Sequence, residues 1–296
     1  MRTPVGNHLM QVDLLAGNCH RSAVMPQRRP TILLFDSGLG GLTVLSEVVA
    51  SRPDADIVYA ADDAAFPYGR LSEAALIARV LAVMERLVAR FHPDLVVIAC
   101  NTASTLVLPA LRARFPIPFV GTVPAVKPAA ARSRSGLVSV LATPGTVARD
   151  YTRGLIEHYA GGCEVTLVGA TRLAGLAEAA LKGETIGDSD VLAEIAPCFV
   201  ARDGRRTDVV ALACTHYPLL LARYRRLAPW PVEWIDPAPA VARRVTQLLG
   251  PAGDWRDAGE ACAVFTAGTR LSGPARIALA GFGLARVEIE AMPLAA

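Results

Sequence analysis

The chain has 296 residues, just over half of them hydrophobic and few aromatic. That is enough for one or two domains around a substantial core, and it suits α/β packing better than an all-β sandwich. Residues 1–30 carry Arg2, Arg21, Arg28 and Arg29 against Asp13, which accounts for the whole net charge of +3. The remainder is neutral and has no basic stripe for nucleic acid. The cysteines (Cys19, Cys100, Cys163, Cys198, Cys214, Cys262) form no CxxC pair, as expected of reduced thiols in the cytoplasm, and no apolar run reaches membrane-spanning length.

Residues 1–30 lack periodicity and the apolar core of a secretory signal, so they read as an irregular extension. From Thr31 short apolar runs alternate with helical patterns, the signature of βαβ units and parallel sheets. Strands are predicted at 31–35, 56–60, 95–99, 119–121, 137–142, 164–168, 209–213, 233–235 and 264–266. Helices are predicted at 42–51, 72–91, 103–114, 147–158, 188–202, 218–227 and 238–249. Ser72 is placed to cap the long helix, and Pro93 closes it.

One phrase occurs twice. Asp94–Ala99 leads into Cys100-Asn101-Thr102, and Asp208–Ala213 leads into Cys214-Thr215-His216. An earlier strand of each half ends in a polar loop, Asp36-Ser37-Gly38 in one and Thr143-Pro144-Gly145-Thr146 in the other. Ligands in open α/β sheets sit at the carboxyl ends of strands, where both sets fall. A second domain is therefore expected at about 122–235.

A lone free cysteine is most often a small buried hydrophobe. Duplication argues otherwise: two thiols facing one substrate carbon from opposite sides could remove a proton from one face and return it to the other. Helices starting just after each cysteine would favour thiolate. His216 is read as a base or hydrogen-bond partner of Cys214. A Cys-x-His zinc pair lacks further clustered ligands, so no metal is expected. His8, His20, His92 and His158 fall in the extension or at helix ends. The glycine-rich loop Asp36–Gly41 matches neither phosphate-loop pattern, and its acid suits a substrate amino group. Phe66-Pro67-Tyr68-Gly69 reads as a turn able to line a small polar ligand.

FDSGLGGLTVL (35–45), DDAAFPYG (62–69), ACNTAS (99–104), TPGTV (143–147) and ACTHYPLL (213–220) together resemble glutamate racemase, of the cofactor-independent aspartate/glutamate racemase superfamily. The resemblance runs from about Thr31 onward. It implies an α/β fold of two pseudo-symmetric three-layer domains with mostly parallel sheets and the active site in the cleft between them. It also returns the tail, 236–296, to the first domain (31–121). It implies that Cys100 works on D-glutamate and Cys214 on L-glutamate, with Asp36 and His216 assisting. Ser37, Pro67, Tyr68, Gly69, Asn101, Thr102, Thr143, Thr146 and Thr215 would surround the substrate. Glu178 is a weaker carry-over, because a family proline is replaced in Ala174–Glu178. Asp63 and Ala65 also depart from the family pattern.

The reaction implied is cofactor-free interconversion of L- and D-glutamate for peptidoglycan synthesis, by a cytoplasmic enzyme often found as a homodimer. Neither Lys127 nor Lys182 sits in a motif suited to pyridoxal phosphate. Some members need a peptidoglycan-precursor activator. Aspartate racemase shares the two-cysteine logic, but DSGLGG and PYG favour glutamate. A non-catalytic regulator, as in members that bind DNA gyrase, leaves the intact cysteine pair unused. A thiol hydrolase using one cysteine and His216 leaves the second phrase unexplained.

Overall fold

The computed structural model describes residues 28–269 and 271–293. Most of the extension predicted at 1–30 lies outside the described residues.

In the first part of the chain come β1 (Thr31–Asp36), α1 (Leu42–Ser51), β2 (Asp56–Ala61), α2 (Glu73–Phe91), β3 (Leu95–Ile98), α3 (Asn101–Arg114) and β4 (Phe119–Gly121). The middle holds α4 (Val126–Arg132), β5 (Leu137–Ala142), α5 (Pro144–Val147), α6 (Asp150–Tyr159), β6 (Glu164–Gly169), α7 (Leu173–Leu181) and α8 (Asp188–Ile195). A hairpin β7 (Ala201–Arg202) and β8 (Arg205–Arg206) follows, then β9 (Val209–Ala213), α9 (Leu221–Leu227) and β10 (Glu233–Ile235). The chain finishes with α10 (Ala238–Leu249), β11 (Ala261–Phe265), α11 (Gly273–Gly281) and β12 (Arg286–Ile289).

Two parallel sheets result: a six-stranded one ordered β12-β11-β2-β1-β3-β4 and a four-stranded one ordered β10-β9-β5-β6. β3 and β9 are apolar and buried throughout because helices cover both faces of each sheet. Two core clusters flank the first sheet and two flank the second, giving two three-layer α/β units. The strand pairs that carry the repeated phrases are equivalent: β1 lies beside β3 in one sheet, and β5 beside β9 in the other.

Helix α2 shows how sequence becomes packing. Leu76, Val80, Val83, Met84 and Leu87 line its buried side at helical spacing. Ser72 caps it by accepting from Ala75 N, and His92 ends it in a left-handed conformation, just before Pro93.

Several expected elements differ. The helix expected at 147–158 is two helices. Thr143 caps a short turn at the strand end with Pro144 in its first position, and Arg149 is extended before α6 begins. The helix expected to run to Arg202 stops at Ile195. Pro197 sits in a tight turn, and Asp203-Gly204, both at positive φ, make the turn of a hairpin. The strand expected at 264–266 begins earlier, at Ala261. α4, α7, α11 and β12 are additions.

Leu34 is fully buried at the middle of the six-stranded sheet. Leu34→Ala is expected to lower stability by about 2–5 kcal/mol, measured by urea unfolding.

Candidate active site

Cys100 stands at the carboxyl end of β3 as the residue before α3, and Cys214 at the carboxyl end of β9. Both line one cavity between the two sheets, together with Ser37, Phe66, Pro67, Tyr68, Gly69, Asn101, Thr102, Thr143, Ala174, Thr215 and His216. Its empty space is about 330 Å3 when the open mouth is counted. Ala174 is a lining residue that sequence reasoning did not single out, although it stands inside a quoted phrase, and Phe66 joins the lining as part of the turn expected there.

Asp36, Thr146 and Glu178 lie behind this wall. Asp36 is fully buried at the end of β1. Its Oδ1 accepts from Gly38 N at 2.9 Å and its Oδ2 from the Thr215 hydroxyl at 3.0 Å. Both oxygens are therefore engaged within the protein, whereas the sequence suggested an open partner for an amino group. Burial raises the Asp36 carboxyl above its ordinary value.

The two cysteines have different surroundings. Burial first, and the nearby Asp36 charge second, push the Cys100 thiol up to about 12; Ala103 N and the Ser37 hydroxyl, 3.7 Å away, offset this in part. The helix start at α3 does not outweigh desolvation, so the surroundings of Cys100 favour the neutral thiol. Cys214 Sγ lies 3.9 Å from His216 Nδ1. The other ring nitrogen, Nε2, lies 2.9 Å from Glu178 Oε2, and Lys182 Nζ lies 2.8 Å from Glu178 Oε1. Burial alone would lower the His216 pKa, but hydrogen bonds with Cys214 and Glu178 prevail and raise it to about 10. Burial opposes the Glu178 charge too; the His216 and Lys182 contacts outweigh it and hold the carboxyl near 2. His216 is thus an imidazolium at neutral pH, which makes it a donor and a fixed charge rather than a base.

The loop Asp36–Gly41 meets the second unit by backbone. A Cβ at Gly40 would stand 2.3 Å from His216 Nδ1, and one at Gly38 would stand 2.6 Å from Glu178 Oε2. Leu39 N donates to Glu178 Oε2 at 3.4 Å, and the Thr43 hydroxyl donates to Thr215 O at 3.1 Å. On the opposite side of the cavity the hydroxyls of Thr102, Thr143 and Thr146 form a triangle with sides of 3.0, 3.1 and 3.3 Å. Asn101 is buried with neither side-chain polar atom partnered inside the protein. Among the described residues no group of three His, Cys, Asp or Glu is arranged to hold a metal ion.

A sheet-flanked cleft with one thiol from each unit defines a class. The Asp/Glu/hydantoin racemase family model matches residues 42–245, and the chain belongs to that family. It is 58% identical over 255 residues to glutamate racemase from Mesorhizobium japonicum, covering 86% of this chain and 97% of that one. It is 57% identical over 235 residues to glutamate racemase from Brucella canis, covering 79% and 84%. Among solved structures it resembles Escherichia coli glutamate racemase in complex with L-glutamate and the activator UDP-MurNAc-Ala. The TM-score is 0.81 at 40% identity, over 89% of this chain and 99% of that one.

Two outcomes follow. Gly40→Ala drives a methyl group into His216 and Thr215, so steady-state turnover is expected to fall on the order of 10²-fold. The second concerns pH. His216 is raised, so its stabilisation is complete below its ordinary value of 6.5 and is lost as pH rises through about 10. Glu178 is depressed, so its contribution is present above 4.5 and lost as pH falls through about 2. The melting-temperature gap between the native protein and Glu178→Gln is therefore expected to be widest at pH 4.5–6.5 and to shrink steadily toward pH 10.

Proposed function

We propose that the chain interconverts L- and D-glutamate by moving a proton between the two faces of Cα. Supporting this is one observation above the others: two thiols at equivalent strand ends of two similar units line one small cavity. In the L-to-D direction the Cys214 thiolate takes the Cα proton, leaving the electron pair on carbon. Cys100, which holds its proton, then delivers it to the opposite face. Cys214 ends as thiol and Cys100 as thiolate, the starting arrangement for the reverse reaction.

The His216 imidazolium stabilises negative charge on Cys214, and Glu178 holds the ring in place. Asp36 acts through Thr215 and through its charge beside Cys100. Asn101, Thr102, Thr143, Ser37 and the Pro67-Tyr68-Gly69 turn offer donors and shape for the substrate's carboxylates and ammonium. General acid–base transfer supplies about 10²–10⁴-fold of rate, and orientation with charge stabilisation supplies the rest.

The reading extends to a cytoplasmic homodimer supplying D-glutamate for peptidoglycan. It extends also to activation by an anionic peptidoglycan precursor such as UDP-MurNAc-Ala. A groove of about 1470 Å3 with its mouth supports the activator: Lys127, Arg132, Arg243 and Arg244 line it with Tyr151 and Tyr159. It also includes Val123, Pro124, Asp236 and Pro237, where the chain passes between the two sheets. A ligand there would touch both crossings.

In deuterated water without cofactor, L-glutamate is expected to lose optical rotation and gain deuterium at Cα, with aspartate turned over far more slowly. Well-folded protein that does neither rules the reading out. Cys100→Ser and Cys214→Ser should each cost at least about 10²–10⁴-fold in kcat; near-normal racemisation by either would exclude two-thiol transfer. UDP-MurNAc-Ala is expected to raise kcat/KM, and Arg244→Ala to weaken that response. No change at saturating UDP-MurNAc-Ala removes the activator.

A further inference from the structure

Asp62 is fully buried at the end of β2 and does not line the cavity, yet its carboxylate is saturated with donors. Oδ2 accepts from the Tyr68 hydroxyl at 2.6 Å and from Arg79 Nε at 2.9 Å. Oδ1 accepts from the Thr266 hydroxyl at 2.6 Å and from Arg79 Nη2. A buried carboxylate is tolerable only with such compensation, and losing one partner leaves the others unsatisfied. The Asp62 backbone also donates to Asp36 O at 2.8 Å, tying the same residue to the loop behind Cys100.

Two consequences concern the cavity. The Tyr68 hydroxyl is committed to Asp62, so Tyr68 faces the cavity with its ring and backbone, and its place there is set from behind. Arg79, on α2, reaches outward as well: Nη2 donates to Met292 O at 2.6 Å and Nη1 to Pro293 O at 3.3 Å. Met292 N donates to Thr266 O at 2.9 Å. The last described residues therefore reach Asp62 by two routes, through Arg79 and through Thr266.

We propose that Asp62 and Arg79 are positioning residues that hold the Pro67-Tyr68-Gly69 wall of the cavity, and that the C-terminal segment at Met292–Pro293 clamps Arg79 from outside. The inference rests on the racemase reading above. It assigns no proton transfer to these groups; they act through Tyr68, on how tightly glutamate is held.

Tyr68→Phe removes the donor to Asp62, and Arg79→Lys keeps the charge but loses the two-pronged grip. Each is expected to raise KM for both enantiomers roughly three- to tenfold with kcat within about twofold, because the wall contributes to binding in ground and transition states alike. The double variant should be no worse than the poorer single, since both act along one path. Hydrogen exchange in Arg79→Lys should speed up at 66–71 and 290–293 together. A wild type that does not racemise glutamate overturns both readings. If the wild type is active, an unchanged KM in either folded variant, or additive effects in the double, overturns positioning alone, even where melting temperature falls.

Discussion

Everything at the cavity depends on a charge pair that water barely reaches. Glu178 and His216 are both nearly fully buried, one on α7 and the other after β9, and each favours the other's charge, with Cys214 helping His216 and Lys182 helping Glu178. Desolvation opposes both charges and the hydrogen bonds overcome it. That balance needs the loop of the first unit packed on top. Leu39 N donates to Glu178, Gly38 and Gly40 allow contact distance, and the Phe66 ring lies 5.4 Å from the imidazole. The pair belongs to the second unit by sequence, but the first unit completes the shelter that makes it.

The pseudo-symmetry of the fold ends at this pair. Cys100 and Cys214 occupy matching strand ends, yet one faces Ser37 and the Asp36 charge while the other faces an imidazolium. The protein thus sets a hydroxyl and a carboxyl beside one sulfur and an imidazole ring beside the other. Mirror-image substrates do not require mirror-image surroundings, because a single equilibrium links the two protonation patterns.

Much of this was legible in the chain. Strands with both faces covered are largely apolar, so β3 and β9 announced themselves as uninterrupted runs, β1 as a run between Thr31 and Asp36, and β5 as one broken only by Ser139, whose hydroxyl donates to Cys198 O; parallel pairing put their polar sequels at one edge. The doubled cysteine phrase and the cavity-lining loops followed. The remainder is hidden for physical reasons. α7 is Leu, Ala and Gly with one acid, so its pattern does not separate helix from loop, and Glu178 acquires meaning only when His216 is folded against it. Thr266 is 204 residues from Asp62 and reaches it only through sheet order, with β11 beside β2, while Arg79 meets Asp62 only once α2 folds back along the sheet. The Asp203-Gly204 hairpin was missed, because the residues before it favour helix and the expected helix runs to Arg202.

The three threonine hydroxyls of Thr102, Thr143 and Thr146 join the two units by a ring in which every member has one hydrogen and two lone pairs. The ring is not symmetric, because Thr143 Oγ1 also accepts from Thr146 N at 3.3 Å. Its hydrogens turn about C–O bonds while every heavy atom stays in place. The units are therefore laced together by hydroxyls of which two, those of Thr102 and Thr143, belong to residues that also line the cavity, so clasp and cavity wall share the same side chains.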